Sequence, residues 1–116
     1  MGNIQKFPYI LIKITASDKR KMQRLGRKLV ESRIVASSHI VQIESFFIWD
    51  EKYQNPYEWE LEAITRSDLY NDIQKIAREE LPDARMMAFY IPVMKSSFTD
   101  WIDSSLAVNY KDNAGL

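Results

Sequence analysis

The sequence predicts an α+β domain, with one antiparallel sheet and two helices on one of its faces. Three observations carry that expectation. Four segments rich in β-branched and aromatic residues are interleaved with two segments of helical period, in the order strand, helix, strand, strand, helix, strand. The chain has 116 residues, 46% hydrophobic and 28% charged, the size and composition of one globular core. Only three Gly and four Pro interrupt it.

The first strand runs from Tyr9 to Thr15, bounded upstream by Pro8, and places Ile10, Ile12 and Ile14 on one face. Ser17 or Asp18 then caps a helix ending near Arg33, in which Met22, Leu25, Gly26, Leu29 and Val30 form the apolar stripe. Ser37 to Trp49 reads as one long strand, and 50–56 (DEKYQNP) as a turn. The third strand, Tyr57 to Thr65, alternates cleanly: Tyr57, Trp59, Leu61 and Ala63 face one way, Glu58, Glu60, Glu62 and Ile64 the other. Ser67 caps a second helix with the stripe Leu69, Tyr70, Ile73, Ile76 and Ala77, ending before Pro82. Arg85 to Val93 is the fourth strand. A short amphipathic helix around Phe98, Trp101, Ile102 and Leu106 follows.

These elements make a single domain over 1–116, with a folded core of about 8–107 and a loosely held tail at 108–116. Two crossovers around a four-stranded antiparallel sheet, with both helices on one face, form the ferredoxin-like βαββαβ arrangement. Its other face is left bare. A face that mixes Glu58, Glu60 and Glu62 with large aromatics is either solvated or covered by another subunit, and long unprotected edges favour association.

Composition excludes several function classes. Without Cys there are no disulfides, thiolate metal sites, iron-sulfur clusters or cysteine nucleophiles. No apolar run reaches membrane-spanning length, the first ten residues lack the apolar core of a signal peptide, and Lys6 stands where a myristoylation signal wants Ser or Thr. A cytoplasmic location with no membrane partner is expected. Equal numbers of basic and acidic residues, 16 of each, hide an asymmetry: nine basic residues fall within 6–33, against only Asp18 and Glu31. That basic helix could meet phosphates, but the glycine-containing basic-aromatic motif of RNA binders on this fold is missing. The helix face reads as solvated, with no nucleic-acid partner.

No catalytic or organic-cofactor site emerges. Gly2, Gly26 and Gly115 are too far apart for a phosphate-cradling loop. His39 is the sole histidine, so one chain cannot assemble a His-based zinc site; three copies around a threefold axis would supply one ligand each. The row Glu58, Glu60, Glu62 offers hard oxygen ligands, or is simply a polar strand face. His39, Glu58 and Glu60 are therefore the candidate metal ligands. Trp49, Trp59 and Trp101 read as core or interface anchors.

Several stretches are similar to one known family. Thr15, Ala16, Ser17 and Asp18 resemble its Thr-Ala-Pro-Asp, and Val35, Ala36 and Ser37 fall at the spacing of its Ala-Ala-Cys. Ser45, Phe46, Phe47 and Ile48, then Trp49, Asp50, Glu51 and Lys52, resemble its segment ending in Trp-Glu-Gly-Lys. Glu58, Thr65, Pro92, Val93, Phe98 and Trp101 match further positions. On these residues, from about Tyr9 to Leu106, the chain resembles the CutA divalent-cation tolerance proteins, ferredoxin-like homotrimers related in architecture to the PII signalling proteins.

The resemblance implies a PII-like trimer of non-enzymatic subunits with a short C-terminal helix. It implies a role in divalent metal ion tolerance or response, and weak binding of copper or another divalent cation. It places Trp49, Lys52, Tyr53, Trp59 and Trp101 at the subunit interface or cleft. The alternative is a PII-like regulatory module that binds a small metabolite or a protein partner between subunits. A small hydrolase on this fold, such as an acylphosphatase, would need an anion loop that 15–19 (TASDK) does not supply. The departures fall on the family's proposed ligands. Ile14 replaces a cysteine discussed as a copper ligand in some members, and Ser37 replaces the cysteine of Ala-Ala-Cys. The His-Pro-Tyr-x-x-Pro-Glu motif keeps only Pro82, with Leu81, Asp83, Met86 and Met87 at its other positions. A soft thiolate site for Cu(I) is absent. The family's Pro-Gly kink is compressed to Gln42, which should straighten the second strand.

Overall fold

β1 (Tyr9–Ala16) is the hub of the sheet in a computed structural model that describes residues 8–92 and 95–107. It pairs antiparallel on one side with β5 (Tyr57–Arg66) and on the other with β6 (Arg85–Tyr90), while β2 (Ser37–Glu44) pairs with the far side of β5. The strand order is β2-β5-β1-β6. Two helices, α1 (Lys19–Glu31) and α2 (Tyr70–Glu80), cover one face, and α3 (Ser96–Ser105) follows β6. This is the expected α+β architecture.

Strand alternation and helical period meet in one core. Ile10, Ile12 and Ile14 of β1 and Leu61 and Ala63 of β5 are buried with Met22, Leu25 and Leu29 of α1 and Ile73 and Ala77 of α2. Asp18 starts α1 by accepting the Lys21 backbone N–H at 3.0 Å. Gly26 lets α1 lie close on the sheet, since a Cβ there would come within 3.2 Å of Leu61 Cδ1 and of Ser38 Oγ. The Ser38 hydroxyl also donates to the Gly26 carbonyl. Val30, expected in the stripe, is exposed instead.

The C-terminal helix is tied down near its C-terminal end. Arg33, with φ 59 just past α1, donates its guanidinium to the carbonyls of Ser104 and Ser105, and its own carbonyl accepts from the Ala107 N–H. The Tyr9 hydroxyl donates to the Asp103 carboxylate at 2.8 and 2.9 Å. Ile102 and Leu106, four residues apart, are buried, whereas Trp101 turns outward beside Phe98 with 41% of its surface exposed.

The second expected strand departs from its sequence reading. Pairing with β5 stops at Glu44, and β3 (Phe47–Trp49) forms a separate two-stranded ladder with β4 (Lys52–Gln54). The turn expected over 50–56 is only Asp50 and Glu51, with φ 53 and 60, the left-handed pair of a tight hairpin turn. Lys52 to Gln54 is strand because each residue pairs across that turn, as in Phe47 with Gln54. β6 ends at Tyr90 rather than Val93; Val93 and the tail 108–116 lie outside the described residues.

Candidate functional site

Strand register places His39, Val41 and Ile43 of β2, Glu58, Glu60 and Glu62 of β5, Lys13 and Thr15 of β1, and Arg85, Met87 and Phe89 of β6 on the face turned away from the helices. The three glutamates, equivalent in the sequence, do not all share one partner. The Lys13 ammonium sits between two of them, 3.8 Å from the Glu60 carboxylate and 3.8 Å from that of Glu62. Glu58 instead meets Arg85, with Oε1 2.6 Å from Nη2.

These partners set the acidities. Burial and the neighbouring Glu62 push the Glu60 carboxyl above its ordinary value, against the pull of Lys13. Burial also acts to raise Glu58, but hydrogen bonds from Arg85 and Ser45 together with the Arg85 charge outweigh it, leaving that carboxyl below its ordinary value.

Among the described residues, one chain does not bring together a complete donor set for a metal. His39 is exposed on the edge strand and faces Glu62 in register, whereas Glu58 is engaged by Arg85 and Glu60 by Lys13. Among the described residues no group of three or more His, Asp or Glu side chains could hold a metal ion. Met86 and Met87 point to opposite faces of β6, so their thioethers do not converge.

A cleft of about 760 Å³ opens where β1 runs into α1. The β3–β4 hairpin contributes Phe47, Trp49 and Gln54, which share one hairpin face. Asp18 and Lys21 enter from the start of α1, and Asp83 and Arg85 from the connection between α2 and β6 and the first residue of β6. Glu58 also lines the cleft, and the Arg85 guanidinium lies 5.1 Å from the centre of the Phe47 ring.

Of the residues expected at an interface or cleft, Trp49, Lys52 and Tyr53 are gathered on the hairpin. Trp49 lines the cleft and pairs with Lys52 in register, while Tyr53 and Ile48 occupy the opposite hairpin face, each 66% exposed. Trp59 is elsewhere, half-buried on the helix side with the Lys19 ammonium 4.7 Å from its ring centre. Trp101 is on α3, next to the opposite end of β1 from the cleft. Sequence reasoning missed Arg85. Its one signal was a lone basic residue opening the apolar stretch 85–93.

An antiparallel sheet with two helices on one face and an aromatic hairpin projecting from its end defines a ferredoxin-like α+β protein. The profile of the CutA1 divalent ion tolerance protein family matches residues 10–105, and the chain belongs to that family. It is similar to the divalent-cation tolerance protein CutA of Archaeoglobus fulgidus, 27% identical over 97 residues that span 82% of this chain and 95% of the relative. A solved structure of the periplasmic divalent cation tolerance protein CutA from A. fulgidus superimposes with a TM-score of 0.79 at 26% identity, covering 85% of this chain and 99% of that one. CutA from Synechococcus elongatus shares the fold, with a TM-score of 0.80 at 21% identity over 90% of this chain and 95% of its own.

Proposed function

We propose that the chain forms a non-enzymatic homotrimer in the cytoplasm that serves in tolerance of divalent metal ions and meets cations weakly, at positions pooled from more than one copy. The observation that carries this reading is the pairing of Lys13 with Glu60 and Glu62. An internal ammonium already lies between two of the carboxylates of the bare face, and among the described residues one chain gathers no group of three or more His, Asp or Glu side chains able to hold a metal ion. His39 stays exposed, and symmetry-related copies would bring further imidazoles to it. The match to the divalent ion tolerance family supports the biological role.

Titration calorimetry with Cu(II) and Zn(II), on the parent and on His39→Ala, tests the reading. Binding should be micromolar or weaker, with Cu(II) ahead of Zn(II), and should be lost in the variant. A sub-micromolar site that survives the loss of His39 would contradict it.

A further inference from the structure

We propose that the cleft between the β3–β4 hairpin, the start of α1 and the α2–β6 connection binds a small organic monocarboxylate carrying a flat apolar body. Of the candidate metal ligands the inference uses only Glu58, and that one as the partner that holds Arg85 rather than as a cation ligand. It stands or falls separately from that reading.

The cleft's volume, about 760 Å³, suits a small ligand. Its most organised polar group is the Arg85 guanidinium. One of its nitrogens is held by Glu58 at 2.6 Å and its plane lies near the Phe47 ring, yet the side chain remains half exposed. A guanidinium fixed in this way presents its remaining N–H donors as a rigid fork, the geometry that takes a carboxylate with two hydrogen bonds. Lys21 adds a second cation at the same cleft.

The other charges narrow the ligand class. Asp18 and Asp83 line the same cleft, so a second negative charge, as on a phosphate dianion, would meet like charge. A simple amine would gain Asp83 but would face Arg85 and Lys21. The walls supply the rest of the selectivity: Phe47 and the largely exposed Trp49 ring give a flat apolar surface to cover the body of the ligand.

Fluorine NMR of the full chain carrying 5-fluorotryptophan reads the site directly, with Trp49 as reporter and Trp101 as internal control. Phenylacetate should move the Trp49 signal saturably and leave that of Trp101 in place. Benzylamine and inorganic phosphate should move the Trp49 signal far less. Lys21→Gln, which leaves the Glu58 ion pair intact, should weaken phenylacetate severalfold, and Arg85→Gln at least tenfold. No Trp49 movement with about 10 mM phenylacetate, above the roughly millimolar affinity expected of so small a ligand, would overturn the proposal. Equal response to benzylamine or phosphate, or unchanged affinity in Lys21→Gln, would overturn it as well.

Discussion

Glu58 and Arg85, 27 positions apart in sequence, form an ion pair of 2.6 Å in which the carboxylate side chain is only 7% exposed and the guanidinium is 50% exposed. The asymmetry matters. Removing Arg85 leaves a buried charge without its counterion, whereas the loss of Glu58 frees a guanidinium that water can still reach.

Arg85→Ala should therefore destabilise the fold by about 1 to 3 kcal/mol at neutral pH, below the roughly 3 to 5 kcal/mol of a fully buried pair because one partner is half solvated. Glu58 has its carboxyl held below the ordinary value, so its contribution is present above the unfolded-state value and is lost as pH falls through the folded one. Urea melts should show the gap between parent and Glu58→Gln closing under acid. A gap that is constant down to acid unfolding would contradict the assignment.

The second prediction lies at the alkaline end. Burial, then the hydrogen bond to Asp103, push the Tyr9 hydroxyl up to about 12 from its ordinary 10.0. A raised value means that the stabilisation is complete below the unfolded-state value and is lost as pH climbs through the folded one. Tyr9→Phe should cost about 1 kcal/mol at pH 7, and the difference should shrink between about pH 10 and 12. Denaturant melts of the two proteins across that range check it.

For the C-terminal helix, Ile102→Ala should cost about 2 to 5 kcal/mol, as should Leu29→Ala on α1, because both side chains are fully buried. Trp101→Ala should cost clearly less than Ile102→Ala. The sequence points to Trp101 as an anchor, but the rotation of α3 that buries Ile102 and Leu106 turns its indole toward Phe98 and solvent.

Charge reversal on the open side of α1, at Arg20 or Lys28, should change stability by no more than about 0.5 kcal/mol. Lys19→Glu should cost more than Arg20→Glu, since the Lys19 ammonium lies over the Trp59 ring. Thermal melts rank the three. A nucleic acid whose binding falls steeply with salt and is lost in the Arg20 and Lys28 variants would show that this face is an interface.

The sheet and its helices were legible because period and burial coincide: Ile10, Ile12 and Ile14 face the core at spacing two, and Met22, Leu25 and Leu29 at spacing three and four. The hairpin was legible only in part. Its turn uses Asp50 and Glu51 in the left-handed region, where a sequence reader looks for Gly or Asn, so the whole polar stretch passed for loop. The site was least legible. Nothing in the alternation of β5 separates Glu58 from Glu60, because the difference comes from Arg85 on β6, two strands away, and Lys13 on the adjacent β1. Long-range pairing of this kind leaves no local trace.

In the proposed homotrimer the hairpin face bearing Ile48 and Tyr53, largely exposed in one chain, would be covered by a second copy, with three copies closing the assembly. Each contact should then bury at least about 1,000 Å². Light scattering coupled to size exclusion reads the number of copies. At micromolar concentration the parent should give a mass near three times 13.7 kDa, and Ile48→Asp with Tyr53→Asp should lower it. A parent mass near 13.7 kDa would rule the trimer out.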